Sequence, residues 1–214
     1  MINGLSGAMG RAVAKAALDR NLNLLPYALT REGDADDISI KHPHTDQTVS
    51  IALVPPTKRE ALAQTIAELH PTLGSLICID YTHPSAVNDN AEWYAANNLP
   101  FVMGTTGGDR DALAQTVAAG DGTYCVIAPN MAKQIVAIQA AFSQLAVDFP
   151  SAFSGYKLRV VESQQSTKAD TSGTAKAISA DLARLTAEAD FTPEAIERVR
   201  DPAEQLAGGG LSHT

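Results

Sequence analysis

Apolar and polar positions along the chain change period several times, and each change marks an element. Ile2–Asn3 reads as the stub of a first strand. Residues 7–20 follow as a helix with Met9, Val13, Ala16, Ala17 and Leu18 on its apolar side. Residues 22–29 read as a second strand. The stretch 30–46 carries Gly33, Asp34, Asp36, Asp37 and Pro43, and is expected to be mostly loop. Thr48–Val54 alternates as a strand, Pro55-Pro56 breaks it, and Thr57 is placed to cap a helix running to about Leu69. Residues 73–81 form a near-continuous apolar run, the mark of a strand covered on both faces. Helix 84–98, strand 100–103, helix 109–119, strand 123–128 and helix 133–149 complete the alternation.

This order predicts an α/β fold of Rossmann type, a doubly wound parallel sheet. The pattern changes near 149–155. Residues 156–162 alternate as a strand with one wet face, which is more typical of an antiparallel sheet. The expected division is a dinucleotide-binding domain over 1–130 and a second α+β domain with a mixed sheet over 131–214. That second domain reads as incomplete, since it offers one long helix, one strand, two helices and a glycine-rich end, Gly208-Gly209-Gly210.

Composition narrows the function classes. With 45% hydrophobic and 19% charged residues among 214, the chain can build a packed core. Its net charge of −8 repels phosphate backbones, so nucleic acid is not an expected partner. No apolar run approaches the roughly 20 residues that cross a bilayer, and no signal or transit peptide precedes the first motif. A soluble protein is expected, cytoplasmic in a bacterium or in the plastid stroma of a plant or alga. Cys78 and Cys125 sit in the apolar runs LICID and YCVIA and read as reduced, buried strand cysteines. The motifs require no metal.

The chemistry begins at Gly4-Leu5-Ser6-Gly7-Ala8-Met9-Gly10, between the strand stub and the first helix. Glycines there let the backbone turn sharply and let a pyrophosphate approach the free N–H groups of a helix N-terminus. The spacing is G-x-x-G-x-x-G rather than the commoner G-x-G-x-x-G, so ordinary turn chemistry stands as the alternative. About 20 residues beyond Gly10, where a dinucleotide fold reads the adenosine ribose, stands Arg31. An arginine there favours NADPH over NADH; a solvated loop arginine is the other reading, and Glu32 and Asp34 lie close by. Three successive strand ends carry small or hydrogen-bonding residues: Asp80-Tyr81-Thr82-His83-Pro84, Met103-Gly104-Thr105-Thr106-Gly107-Gly108 and Ala128-Pro129-Asn130-Met131. Ligands of open parallel sheets gather at that edge. In the second domain, Ser172-Gly173-Thr174 opens a helix with Lys168 just upstream. This is an anion seat suited to a substrate carboxylate, or else a plain helix cap with a surface lysine.

Taken together these motifs resemble the dihydrodipicolinate reductase (4-hydroxy-tetrahydrodipicolinate reductase) family. The plant-type branch is closest, through Asp80-Tyr81-Thr82, residues 86–92 and 101–110, Phe153-Ser154-Gly155-Tyr156, and residues 170–177. The resemblance implies an NAD(P)H-dependent reductase of lysine biosynthesis via diaminopimelate, active as a homotetramer on a small dicarboxylate. Gly4, Gly7, Ala8 and Met9 would cradle the cofactor. Gly104, Thr105, Thr106, Ala128, Pro129, Asn130 and Met131 would flank the nicotinamide. Gln165, Lys168, Gly173 and Thr174 would hold the substrate, with Lys168 also donating a proton. The family places a histidine two residues after the motif glutamate, here Glu162; this chain has Gln164, and glutamine cannot donate a proton at neutral pH. Family members also continue beyond the region of 211–214.

Two rivals remain at this level. One is a catalytically impaired relative that binds cofactor and has a regulatory role or none. The other is an aspartate-semialdehyde or homoserine dehydrogenase relative. The former of those dehydrogenases needs a nucleophilic cysteine in an accessible turn, whereas Cys78 and Cys125 lie inside strands.

Overall fold

A computed structural model describes residues 1–73, 76–120, 123–166, 168, 170–188 and 190–207. The chain divides into two compact units, Met1–Ala128 and Pro129–Thr214. The glycine run 208–210 and residues 211–214 lie outside the described residues.

In the first unit, β1 (Ile2–Asn3), β5 (Cys78–Asp80), β6 (Phe101–Met103) and β7 (Cys125–Ile127) form a parallel sheet in the order β1-β5-β6-β7. Ile2 stands opposite Ile79, and Asn3 opposite Asp80. A second sheet has the order β2-β4-β3. Here β2 (Tyr27–Leu29) runs parallel to β4 (Thr48–Val54), and β3 (Asp37–Lys41) runs antiparallel to it. Helices α1 (Ala8–Asp19), α2 (Arg59–Leu73), α3 (Val87–Ala96) and α4 (Arg110–Ala119) connect the strands.

Strand residues alternate between two cores, as the two-residue period requires. Met1, Leu29, Val54, Cys78, Phe101 and Met103 pack with Leu62 and Ile66 of α2, Val87, Ala91 and Tyr94 of α3, and Leu113 of α4. Ile2, Ala28 and Ile51 instead meet Ala14 and Leu18 of α1 and Ile40 of β3. Helices therefore cover both faces of the strands, which is what a doubly wound arrangement means physically.

The expected strand 22–29 is trimmed to Tyr27–Leu29, and two further elements differ from the sequence expectation. The 30–46 stretch contains β3, whose Ile38 and Ile40 pair with Ile51 and Val49. Gly33, Asp34 and Asp36 lie before the strand, Asp37 opens it and Pro43 follows it, and His42 N–H donates to the Gln47 carbonyl at 2.9 Å where the hairpin closes. The run 73–81 is shared: α2 keeps Leu73, and only Cys78–Asp80 pairs as a strand. A short apolar run does not specify its own period.

In the second unit, α5 (Lys133–Asp148) precedes β8 (Val161–Ser163), α6 (Gly173–Thr186), β9 (Glu197–Val199) and α7 (Pro202–Ala207). The wet-faced strand is shorter than expected and pairs in parallel with β9, not antiparallel. The crossover through α6 returns the chain in the same direction, and a parallel pair needs such a connection. β9 is three residues with two charges, too little signal for sequence to mark it.

Candidate functional site

The first unit contains a cleft of about 650 Å³ at the carboxyl ends of its strands. It is lined by Gly4, Ser6 and Gly7, by Thr30, Arg31 and Asp34, by Arg59, and by residues of the 81–90 segment that include His83, Asp89 and Asn90. Its floor is the glycine turn. Gly4 has φ +86°, and a Cβ there would lie 2.2 Å from the Tyr81 carbonyl oxygen. A Cβ on Gly10 would lie 2.2 Å from the Gly4 carbonyl oxygen. Both positions therefore exclude side chains on packing grounds. Gly7 differs: its added Cβ would meet only the Gly4 oxygen, at 3.4 Å. It is the N-cap of α1, no side chain caps that helix, and no acid lies in its first turn. The positive end of the helix dipole there is neutralised by no side-chain cap and no first-turn acid. A bare Gly7 beside an uncapped helix fits the diphosphate of a dinucleotide, which a side chain there would crowd.

Behind the cleft, Asp80 gathers the neighbouring elements. Its carboxyl oxygens accept from the Tyr94 hydroxyl at 2.7 Å, Asn90 Nδ2 at 2.9 Å, Thr82 N–H at 2.9 Å and Thr82 Oγ1 at 2.7 Å. Asn3 donates through Nδ2 to the Tyr94 hydroxyl at 2.5 Å and accepts the Leu29 N–H at 2.7 Å. Asn3, Asp80 and Asn90 are all buried. Burial, then the nearby Asp80, pushes the Tyr94 phenol well above its ordinary range. The sequence marked Asp80 and Thr82 as part of a strand end at the ligand edge, without the partners that hold Asp80. The buried asparagines and Tyr94 were missed, although buried polar residues at adjacent strand ends are a usable signal.

Arg59 was also missed. It opens α2, is half-buried, and donates from one terminal nitrogen to Asn90 Oδ1 at 2.7 Å. Its Nε is buried without a hydrogen-bond partner. Arg31 lines the cleft mouth, but its side chain is 87% exposed and pairs with Asp34 at 2.8 Å. Asp34 also accepts from the Thr30 hydroxyl. The hydrogen bond from Arg31, then that from Thr30, holds the Asp34 carboxyl below the usual carboxylate range.

Ala8 and Met9 are exposed on the first turn of α1 and stand outside the cleft lining. Gly104, Thr105 and Thr106 also stand outside it. Tyr81 covers Gly104: a Cβ there would lie 2.3 Å from the Tyr81 ring. The buried Thr105 hydroxyl donates to the Thr82 carbonyl at 3.2 Å and to Asp80 at 3.4 Å. Thr106 is half-buried. Ala128 extends the sheet edge, its N–H donating to the Met103 carbonyl at 3.2 Å.

The second unit holds the other predicted residues. Asn130 accepts the Ala132 N–H at 2.9 Å and donates to Thr174 Oγ1 at 3.0 Å. Pro129 lies against Gly173, where a Cβ would come within 3.0 Å of the proline ring. Met131 is exposed. These contacts set the 129–130 segment on the N-terminus of α6. Ser172 caps that helix, its hydroxyl accepting the Ala175 N–H at 3.1 Å, and its own N–H donates to the Glu162 carboxylate at 3.1 Å. Arg200, another residue the sequence did not single out, gathers the loop between β8 and α6. It donates to the carbonyls of Lys168 at 2.9 Å, Glu162 at 3.2 Å and Asp170 at 3.2 Å, and lies 3.5 Å from the Glu162 carboxylate. Lys168 Nζ pairs with Asp170 at 2.6 Å, which holds that carboxyl below its usual range. Gln164 is fixed through its backbone, with N–H to the Val199 carbonyl at 3.2 Å and its own carbonyl accepting Gln205 Nε2 at 2.7 Å. Gln165 is exposed and accepts the Lys168 N–H at 3.0 Å.

With this geometry in hand, likeness to known proteins is informative. Residues 1–131 match the family described as "Dihydrodipicolinate reductase, N-terminus". The 4-hydroxy-tetrahydrodipicolinate reductase 1, chloroplastic, of Arabidopsis thaliana is 45% identical over 99% of this chain and 58% of its own length. A probable 4-hydroxy-tetrahydrodipicolinate reductase 1, chloroplastic, of Oryza sativa subsp. japonica is 44% identical over 99% and 58%. The chain thus spans 58% of the length of these two plant relatives. Among solved structures, the dipicolinate-bound dihydrodipicolinate reductase from Paenisporosarcina sp. TG-14 shares the fold. Its TM-score is 0.57 at 22% identity, covering 94% of this chain and 78% of that one.

Proposed function

The chain belongs to the dihydrodipicolinate reductase family, and from that premise we propose that the protein reduces 4-hydroxy-tetrahydrodipicolinate to tetrahydrodipicolinate in lysine biosynthesis via diaminopimelate. The observation that carries this reading is the Gly4–Gly10 turn: two glycines that packing demands, and a third left bare beside an uncapped helix. Gly4 and Gly7 seat the diphosphate of NADPH or NADH, with Ala8 and Met9 on the same helical turn. Arg31 at the cleft mouth favours the 2′-phosphate of NADPH once it exchanges Asp34 for that phosphate. Gly104, Thr105 and Thr106, with 128–131, flank the nicotinamide. The bound dinucleotide supplies a hydride.

The protein's own groups do the rest. The Ser172-Gly173-Thr174 turn holds a substrate carboxylate on the positive end of α6, and Gln165 lies on the approaching loop. Lys168 holds a second donor toward the dicarboxylate and keeps a proton at Nζ for the electron-rich product of hydride addition. Asp170 fixes that nitrogen at 2.6 Å. We further infer a homotetramer, and a plastid location if the source is a plant or alga, since the plant relatives are named chloroplastic.

The test is oxidation of NADPH by the purified protein given freshly prepared substrate, followed through the absorbance of the reduced dinucleotide. Substrate-dependent oxidation supports the reading. Cofactor binding without turnover moves the assignment to a second reading, a non-catalytic relative, for which Gln164 in place of the family's histidine is the specific observation.

A further inference from the structure

Arg59 is the charged group that the cofactor reading leaves unexplained. It faces the cleft from the start of α2, with Gly4, Ser6 and Gly7 also on the lining. Among the described residues no carboxylate lies within 4.0 Å of it, although Asp34 and Asp89 line the same cleft. Among the described residues its hydrogen bond runs to Asn90 Oδ1, and Asn90 in turn donates to Asp80 and to Thr82 Oγ1. The guanidinium is therefore tethered at one nitrogen and held off the nearest buried acid by an intervening amide. Its Nε is shut away from water with no acceptor.

A buried donor without a partner is costly, and native structures carry few. In a protein of net charge −8, cations facing a cleft are scarce, and this one has not been spent on an acid. Arg31 contrasts with it, being exposed and already paired with Asp34. A guanidinium presents several N–H groups in a rigid fork that matches phosphate oxygens. The tether to Asn90 fixes it beforehand, so little freedom is lost when an anion arrives.

We propose that Arg59 is a phosphate-binding cation of the cleft in addition to Arg31, taking a phosphoryl oxygen of the dinucleotide whose diphosphate rests on the Gly4–Gly10 turn. The assignment rests on the dinucleotide reading above and adds to it a residue that no glycine motif marks. The phosphoryl oxygen belongs either to the diphosphate, common to both cofactors, or to the 2′-phosphate of NADPH.

The experiment titrates the intact protein and its Arg59→Gln variant with NADH and with NADPH, alongside thermal melting without ligand. Weakening of both cofactors by roughly tenfold or more places the contact on the diphosphate, and the same loss for NADPH alone places it on the 2′-phosphate. Either result supports the proposal. The ligand-free melting temperature is expected to stay near the parent's, because the lost bond to buried Asn90 is offset by removal of a buried donor without a partner. Affinities unchanged for both cofactors overturn the proposal, all the more if melting falls, which marks a structural arginine. Arg59→Met, which keeps the apolar stem, reads out the same way should the glutamine variant fold poorly. A parent protein that binds neither dinucleotide overturns the function reading together with this one. A parent that binds while Arg59→Gln binds equally well overturns this one alone.

Discussion

Gly7 and Gly10 are both glycines of one turn, yet a methyl group would do different things at each. Gly10→Ala drives a Cβ to 2.2 Å from backbone and should cost about 1–3 kcal/mol or more of stability. Gly7→Ala meets only an ordinary 3.4 Å contact, so its melting temperature should stay near the parent's while dinucleotide affinity drops. Melting curves paired with cofactor titrations check both expectations. Equal melting losses in the two variants would mean that Gly7 is kept for packing and not for a ligand.

At the same scale, Cys78 is fully buried and Cys125 half-buried. Burial pushes the Cys78 thiol up from 9.0 to about 12, outweighing the chain N-terminus, which pulls it down. A folded-state pKa above the unfolded one means the contribution to stability is complete below pH 9 and is lost as pH climbs from 9 toward about 12. Alkaline titration followed by circular dichroism should show stability falling across that window. A thiol reagent at neutral pH should modify half-buried Cys125 slowly, since burial raises its pKa, and Cys78 only on unfolding; fast reaction of Cys78 refutes the burial assigned to β5.

Elements are tied together by single side chains. Asp80 ends β5 and holds Tyr94 and Asn90 of α3 as well as the Thr82 turn. Asp80→Ala strands the Tyr94 hydroxyl and the Asn90 amide in the interior, and each unmatched group costs roughly 1–3 kcal/mol. A loss of about 3 kcal/mol by denaturant unfolding is expected, and a loss under about 1 kcal/mol would show that the network is not a keystone of the fold. In the second unit Arg200 plays the corresponding part for the loop that carries Gln164 and Lys168. On that held loop, Gln164→His should raise turnover by about a hundredfold if only the general acid is missing. Steady-state rates with saturating cofactor measure it, and an unchanged rate places the defect elsewhere.

These ties also explain how far the sequence could be read. Alternation and turn residues marked most strands and helices, because buried parallel strands and amphipathic helices carry strong periodic signals. β3 and β9 escaped, since each is short and charged and gains its place only by pairing with another strand, β4 or β8. The glycine turn was legible because a local backbone demand writes itself as glycine. Arg59, Arg200 and the Asn3–Tyr94–Asp80 chain were not, since their partners lie 31, 38 and 91 or 14 positions away.

For the molecule as a whole, the two units divide the labour that the reading requires. Met1–Ala128 holds the cleft and the glycine turn, and Pro129–Thr214 holds the Ser172-capped start of α6 that the proposal uses as an anion seat. Family membership comes from the match over residues 1–131 and from plant relatives aligned over 99% of the chain. Everything proposed about chemistry depends on the first unit holding a nicotinamide dinucleotide. The most direct measurement is isothermal calorimetry of the intact protein with NADH and with NADPH. Saturable binding of at least one of them, with NADPH the tighter, is the predicted result; absence of binding by both contradicts the account at its centre.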